Sequence, residues 1–105
     1  MEQYYLKVIE NTFCTLRLAL IAAICYYLEK DVELDDEMCM GDEKVIDINP
    51  TFNDRGHVVK AETYVTLETN DDDGLCYEEK KVLTSLSIEW LIAIYENLSK
   101  NKLAR

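Results

Sequence analysis

The sequence predicts a single α+β domain over residues 1–105. It has a long N-terminal helix, a three-stranded antiparallel β-meander and a C-terminal helix (αβββα), with both helices on one face of the sheet. Three observations lead there. Residues 2–30 contain no Gly or Pro and are rich in Leu, Ile and Ala; the apolar period changes to two from Lys44; and a capped helical pattern returns at Ser87. A chain of 105 residues that is 49% apolar, with three Gly and one Pro, can bury a core unaided and is not a disordered acidic tail.

The first helix changes character along its length. At about 100° per residue, Gln3, Lys7, Glu10, Cys14 and Arg17 fall on one stripe, the expected solvent face. The same stripe continues as Ile21, Cys25 and Leu28, so the polar face becomes apolar after Arg17. A helix apolar on every side must be covered on every side, either within the monomer or by a partner. Ile21, Cys25 and Leu28 are therefore the candidate residues of an oligomer interface, with a homodimer as the expected assembly if that interface forms.

The apolar run Leu18 to Leu28 falls short of the roughly 18 to 20 residues needed to span a bilayer. Flanking acids and the absence of a small-x-small cleavage site argue against a signal peptide, so the run belongs to the mature fold and the expected location is the cytoplasm, away from membranes. Cys14, Cys25, Cys39 and Cys76 show no C-x-x-C spacing, and His57 is the one histidine, so neither a zinc site nor a disulfide framework is expected. On the helix Cys14 and Cys25 would stand about 16 Å apart along the axis, too far to bond.

Asp31 to Lys44 reads as an acidic loop with Met38 and Met40 as anchors. A first strand covers Lys44 to Phe52, with Pro50 suited to an edge or a bulge, and ends in the turn Asn53 to Gly56, where glycine takes the left-handed position. The second strand, His57 to Thr69, would place Val59, Ala61, Thr63, Val65 and Leu67 on one face. The third runs from Leu75 to Leu83. Ser87 is the expected N-cap of the last helix, whose apolar stripe is Ile88, Leu91, Ile92, Tyr95 and Leu98.

Net charge is −10, and it is concentrated in the middle of the chain: residues 31–44 carry −6 and 70–81 carry −3, while 1–30 are neutral. A field of that sign repels nucleic-acid backbones and anionic membranes and attracts basic protein surfaces. The stretch TNDDDGLCYEEK, Thr69 to Lys80, superficially suggests a calcium loop, but placing Gly74 at position six puts Thr69 at position one and Lys80 at twelve, where ligands are required. A hairpin turn is the better reading. His57 with a cysteine, or paired carboxylates such as Asp35 with Asp36, would suit chemistry only in a cleft, and no nucleophile elbow, phosphate loop or nucleotide-binding glycine motif is present.

The expected function is that of a small acidic protein-binding module without enzymatic activity, cofactor or metal. It would act as an inhibitor or adaptor on a basic, nucleic-acid-handling protein by placing carboxylates where phosphates would lie. Phage-encoded inhibitors and immunity proteins share this size and charge, though no motif here marks a family. The expected partner-binding residues are Asp35, Asp36, Glu37, Asp42 and Glu43 from the first acidic segment and Asp71, Asp72, Asp73, Glu78 and Glu79 from the second. The alternative is a self-associating accessory subunit built on the Ile21, Cys25 and Leu28 stripe.

Overall fold

A computed structural model describes residues 2–34, 38–70 and 73–104, with side chains for 12, 14–34, 38–70 and 73–102. It consists of helix α1 (Glu2–Glu29), strands β1 (Met38–Met40), β2 (Glu43–Asn49), β3 (Tyr64–Asn70) and β4 (Cys76–Val82), and helix α2 (Ile88–Ala104). The strands form one antiparallel sheet in the order β1-β2-β3-β4. The class is α+β as expected, with one strand more than the sequence suggests.

The extra strand is β1, in the segment expected to be loop. Met38, Cys39 and Met40 pair with Val45, Lys44 and Glu43 across a tight turn in which Gly41 adopts φ 62, a conformation that glycine reaches without steric cost. Three residues are too few to set a period of two, which is why the pattern does not announce them. Pro50 lies just beyond β2, not inside it. Beyond Val45, β2 pairs with β3 alone, and that ladder ends at Asn49 opposite Tyr64, just before the residue that has no N–H to give.

β2 carries a bulge of its own at Ile46. Val45 pairs with Leu67 and Asp47 with Thr66, which leaves Ile46 as the extra residue. Without it, strict alternation would put Val45 and Ile48 on opposite faces. With it, Val45 and Ile48 stand on the same face as Leu67 and Val65, and Asp47 turns to the other.

The run expected as one long second strand is divided. Phe52 bridges Val58 around the Asn53–Gly56 turn, Lys60–Glu62 form a 3-10 turn, and the strand proper begins only at Tyr64. Val59 N–H is bonded to Thr51 O at 2.7 Å, so the chain is still paired with its own approach and must turn a corner before joining β2. Ala61 is therefore exposed and lies off the sheet, whereas Thr63, Val65 and Leu67 are buried. Gly56 does take the expected positive φ, at 80°.

Both helices bury the same spacing of residues: Leu20, Ile21, Ile24 and Leu28 from α1, Trp90, Leu91, Ile94 and Leu98 from α2. They join Val45, Val65, Leu67, Leu83 and Leu86 in one buried cluster. Each fully buried Leu or Ile contributes about 1.5–3 kcal/mol. Ser87 caps α2 as expected, its Oγ accepting from Trp90 N–H at 3.3 Å. Arg17 Nη1 donates to Leu86 O before the start of α2, and Asn101 Nδ2 donates to Glu33 O beyond the end of α1, so the two helices run parallel.

Arg17, expected on the solvent face, thus points inward, and the stripe it begins is the core stripe. This corrects the interface reading. Ile21 and Leu28 are 3% and 7% exposed within the single chain, and Cys25 is half-buried against them, so no partner is needed to cover these residues. The side that α1 turns outward is Leu18, Ala22 and Tyr26, with Leu18 59% exposed.

Candidate functional site: the acidic end of the sheet

The antiparallel register brings parts of the two acidic segments to one end of the sheet. Glu43, just after the β1–β2 turn, pairs with Thr69, and Asn70, just before the β3–β4 turn, pairs with Cys76. Asn70 N–H also reaches Asp42 O at 3.4 Å, which ties the two turns to each other. Asp42, Glu43 and Asp73 therefore gather at this end, and Glu78 and Glu79 lead away from it along β4. Of the expected partner-binding residues, Asp35, Asp36, Glu37, Asp71 and Asp72 lie outside the described residues.

Glu78 and Glu79 part company, as neighbours on a strand must. Glu79 is opposite Leu67 on the face that carries the core, and Glu78 is opposite Glu68 on the other face. Like charges directly across a sheet destabilise it, by an amount that exposure reduces. Lys44, on the other side of Glu68, offsets part of that repulsion. Lys80 and Lys81 follow Glu79 on β4, so the acidic character is concentrated toward the turns and diluted along the strand.

Apolar side chains stand among these acids. On the core-bearing face the cross-strand row at this end is Met40, Glu43, Thr69 and Tyr77. Met40, Leu75 and Tyr77 are 37%, 56% and 55% exposed. Exposed Tyr and Met beside carboxylates combine contact area with charge, the composition of binding surfaces. Sequence reasoning missed Leu75 and Tyr77; the available signal was an aromatic within an acidic stretch.

Other candidates are placed elsewhere. His57 is exposed, and its Nδ1 stands 3.4 Å from Glu29 Oε1, which also accepts Val58 N–H at 2.8 Å. These contacts pin the Asn53–Gly56 hairpin to the end of α1. Cys14, Cys39 and Cys76 are exposed and not disulfide-bonded, the Cys76 thiol donating to Asn70 Oδ1 at 2.8 Å, while burial first, and then the Glu29 carboxylate, push the Cys25 thiol up against the opposing pull of Lys60. The glycine of the supposed calcium loop, Gly74, lies in the turn between β3 and β4. Among the described residues no helix is long and apolar enough to cross a membrane.

What fold and surface define is a small acidic α+β domain whose sheet ends in carboxylates interspersed with exposed apolar groups. No protein family, curated protein or solved structure matches this chain.

Proposed function

We propose that this protein is a non-enzymatic protein-binding module of the cytoplasm, an inhibitor or adaptor that docks its acidic sheet end on a basic, nucleic-acid-handling protein. The observation that carries the reading is the meeting of the two turns: Asp42 and Glu43 stand beside Thr69 and Asn70, at the mouth of the β3–β4 turn that bears Asp73. Carboxylates gathered this way offer a basic groove the charge it would otherwise take from phosphates. The Glu68–Glu78 pairing supports the same reading, because it opposes stability and no folding role accounts for it. Met40, Leu75 and Tyr77 supply apolar contact that would survive when salt screens the charges.

The test is capture of partners from a lysate on the tagged protein at about 0.1 M and about 1 M salt, where the Debye length falls from about 10 Å to about 3 Å. A Lys/Arg-rich nucleic-acid-binding protein should be held at low salt and lost at high salt. It should also be lost from the quadruple variant Asp42→Asn, Glu43→Gln, Asp73→Asn, Glu78→Gln. A partner retained equally in all these conditions refutes the reading.

A second reading, self-association as an accessory subunit, is favoured by the outward stripe Leu18, Ala22 and Tyr26. No charged residue lies between Arg17 and Glu29 in the sequence, and the charges that reach the stripe are the ammonium groups of Lys30 and Lys102, over the Tyr26 ring at 5.6 and 5.4 Å, so the acids of this chain stay off the Leu18 and Ala22 part of it. Light scattering decides it: a dimer broken by Leu18→Glu supports the reading, and a monomer at high concentration refutes it.

A further inference from the structure

Away from the acidic end, the protein has an open groove of about 360 Å³ between the end of α1 and the second half of β2. Its floor is apolar, made of Leu28, Val32, Leu34, Ile46 and Ile48. Phe52, 46% exposed, and Pro50 form one wall. Asp31, Glu33 and Asp47 are the charged residues of its lining among the described residues, and none of those lining it is basic. We infer that this groove is a docking site for a segment of a partner protein that inserts one bulky apolar side chain and flanks it with Lys or Arg.

The structure builds the groove from three fixed pieces. α1 ends in a motif in which Val32 N–H bonds Tyr27 O at 3.0 Å and Asp31 N–H bonds Leu28 O at 3.1 Å, with Asp31 at φ 58. That geometry turns the chain sharply, buries Val32 and lays Glu33 and Leu34 along the groove, where Asn101 holds Glu33 O at 2.7 Å. The bulge in β2 supplies Ile46 to the lining while Val45 stays in the core. The Phe52 wall belongs to the hairpin that Glu29 pins through Val58 and His57.

The choice of occupant follows from shape and charge. The volume is near the low end of the roughly 300–1,000 Å³ of ligand pockets, enough for one large side chain and part of a second. An open groove cannot enclose most of a small ligand's surface, whereas a peptide needs only to bury an anchor there. Carboxylates on the lining of a chain that already carries −10 would repel an acidic or nucleic-acid segment and hold a basic one. From Glu43 to Ile48 the strand rises about 16 Å, so the groove is a separate contact from the acidic end. The inference rests on the proposed basic partner, but it can fail alone.

The experiment uses the intact protein and a labelled peptide with a leucine-phenylalanine pair set between lysines, followed by fluorescence anisotropy. The expected result is binding at least tenfold tighter than that of the same peptide with serines in place of the pair. Phe52→Ser, with its urea midpoint measured to check that the hairpin still folds, should weaken binding at least fivefold, as should Asp47→Asn with Glu33→Gln, which leaves the Phe52 wall in place. The acidic-end quadruple variant should bind it within twofold of wild type. Equal binding of the two peptides, or loss confined to the acidic-end variant, overturns the groove. In the lysate, a basic partner lost with the acidic-end variant but unaffected by Phe52→Ser leaves the proposed function standing and overturns the groove.

Discussion

Arg17 is the residue at which the fold departs most from the helical-wheel reading, and its replacement by Met gives a quantitative check. Its guanidinium donates to Leu86 O at 2.5 Å; the second contact, to Thr84 O at 3.5 Å, is too long to count. A hydrogen bond from a charged donor is worth about 1.5–3 kcal/mol, and partial exposure of Arg17 lets water replace some of it. Met keeps the apolar stem and removes the donor, so about 1–2 kcal/mol should be lost. For a chain of this size that is a fall in Tm of roughly 4–12 °C. Urea unfolding is the assay, with the midpoint lowered at unchanged slope. Arg55→Met, in the exposed Asn53–Gly56 turn, is the control and should leave the midpoint in place. An Arg17→Met midpoint indistinguishable from wild type would mean that α1 presents this stripe to solvent after all.

Four further outcomes follow from the geometry. Asp31→Gly should raise stability by about 0.5–1 kcal/mol in the same urea assay, because Asp31 holds the left-handed position that closes α1. A disulfide reagent should titrate the exposed Cys14 and Cys39 rapidly in the native protein and the half-buried Cys25 slowly. Since burial raises the Cys25 pKa on folding, the folded state keeps that proton longer; stability is untouched at neutral pH and declines as pH rises past the ordinary thiol value of 9.0, and Cys25→Ala should flatten that decline. Glu78→Gln should stabilise the sheet by a few tenths of a kcal/mol by relieving Glu68 while weakening partner binding.

The α+β class, the left-handed Gly56, the Ser87 cap and β4, to within one residue at each end, are legible in the sequence because local chemistry decides them. Much of the remainder depends on non-local contacts. Arg17, Ile21 and Leu28 share a helical stripe by spacing alone, but the direction it faces depends on a carbonyl at Leu86 that the parallel packing of α2 supplies. The charge-bearing segments were visible as composition, but their meeting needed the register Glu43 to Thr69, which a bulge at Ile46 and an unsuspected β1 hairpin help set. The groove was not legible at all, since its lining comes from a helix end, a bulged strand and a hairpin whose sequence patterns are separate.

The most direct measurement is the affinity for the captured basic partner as a function of salt, compared between wild type and the Asp42→Asn, Glu43→Gln, Asp73→Asn, Glu78→Gln variant. Binding through the acidic end predicts a steep loss of wild-type affinity from about 0.1 M to about 1 M salt and a markedly shallower dependence for the variant, with weaker binding at low salt. Identical salt dependence and affinity in the two proteins would contradict it.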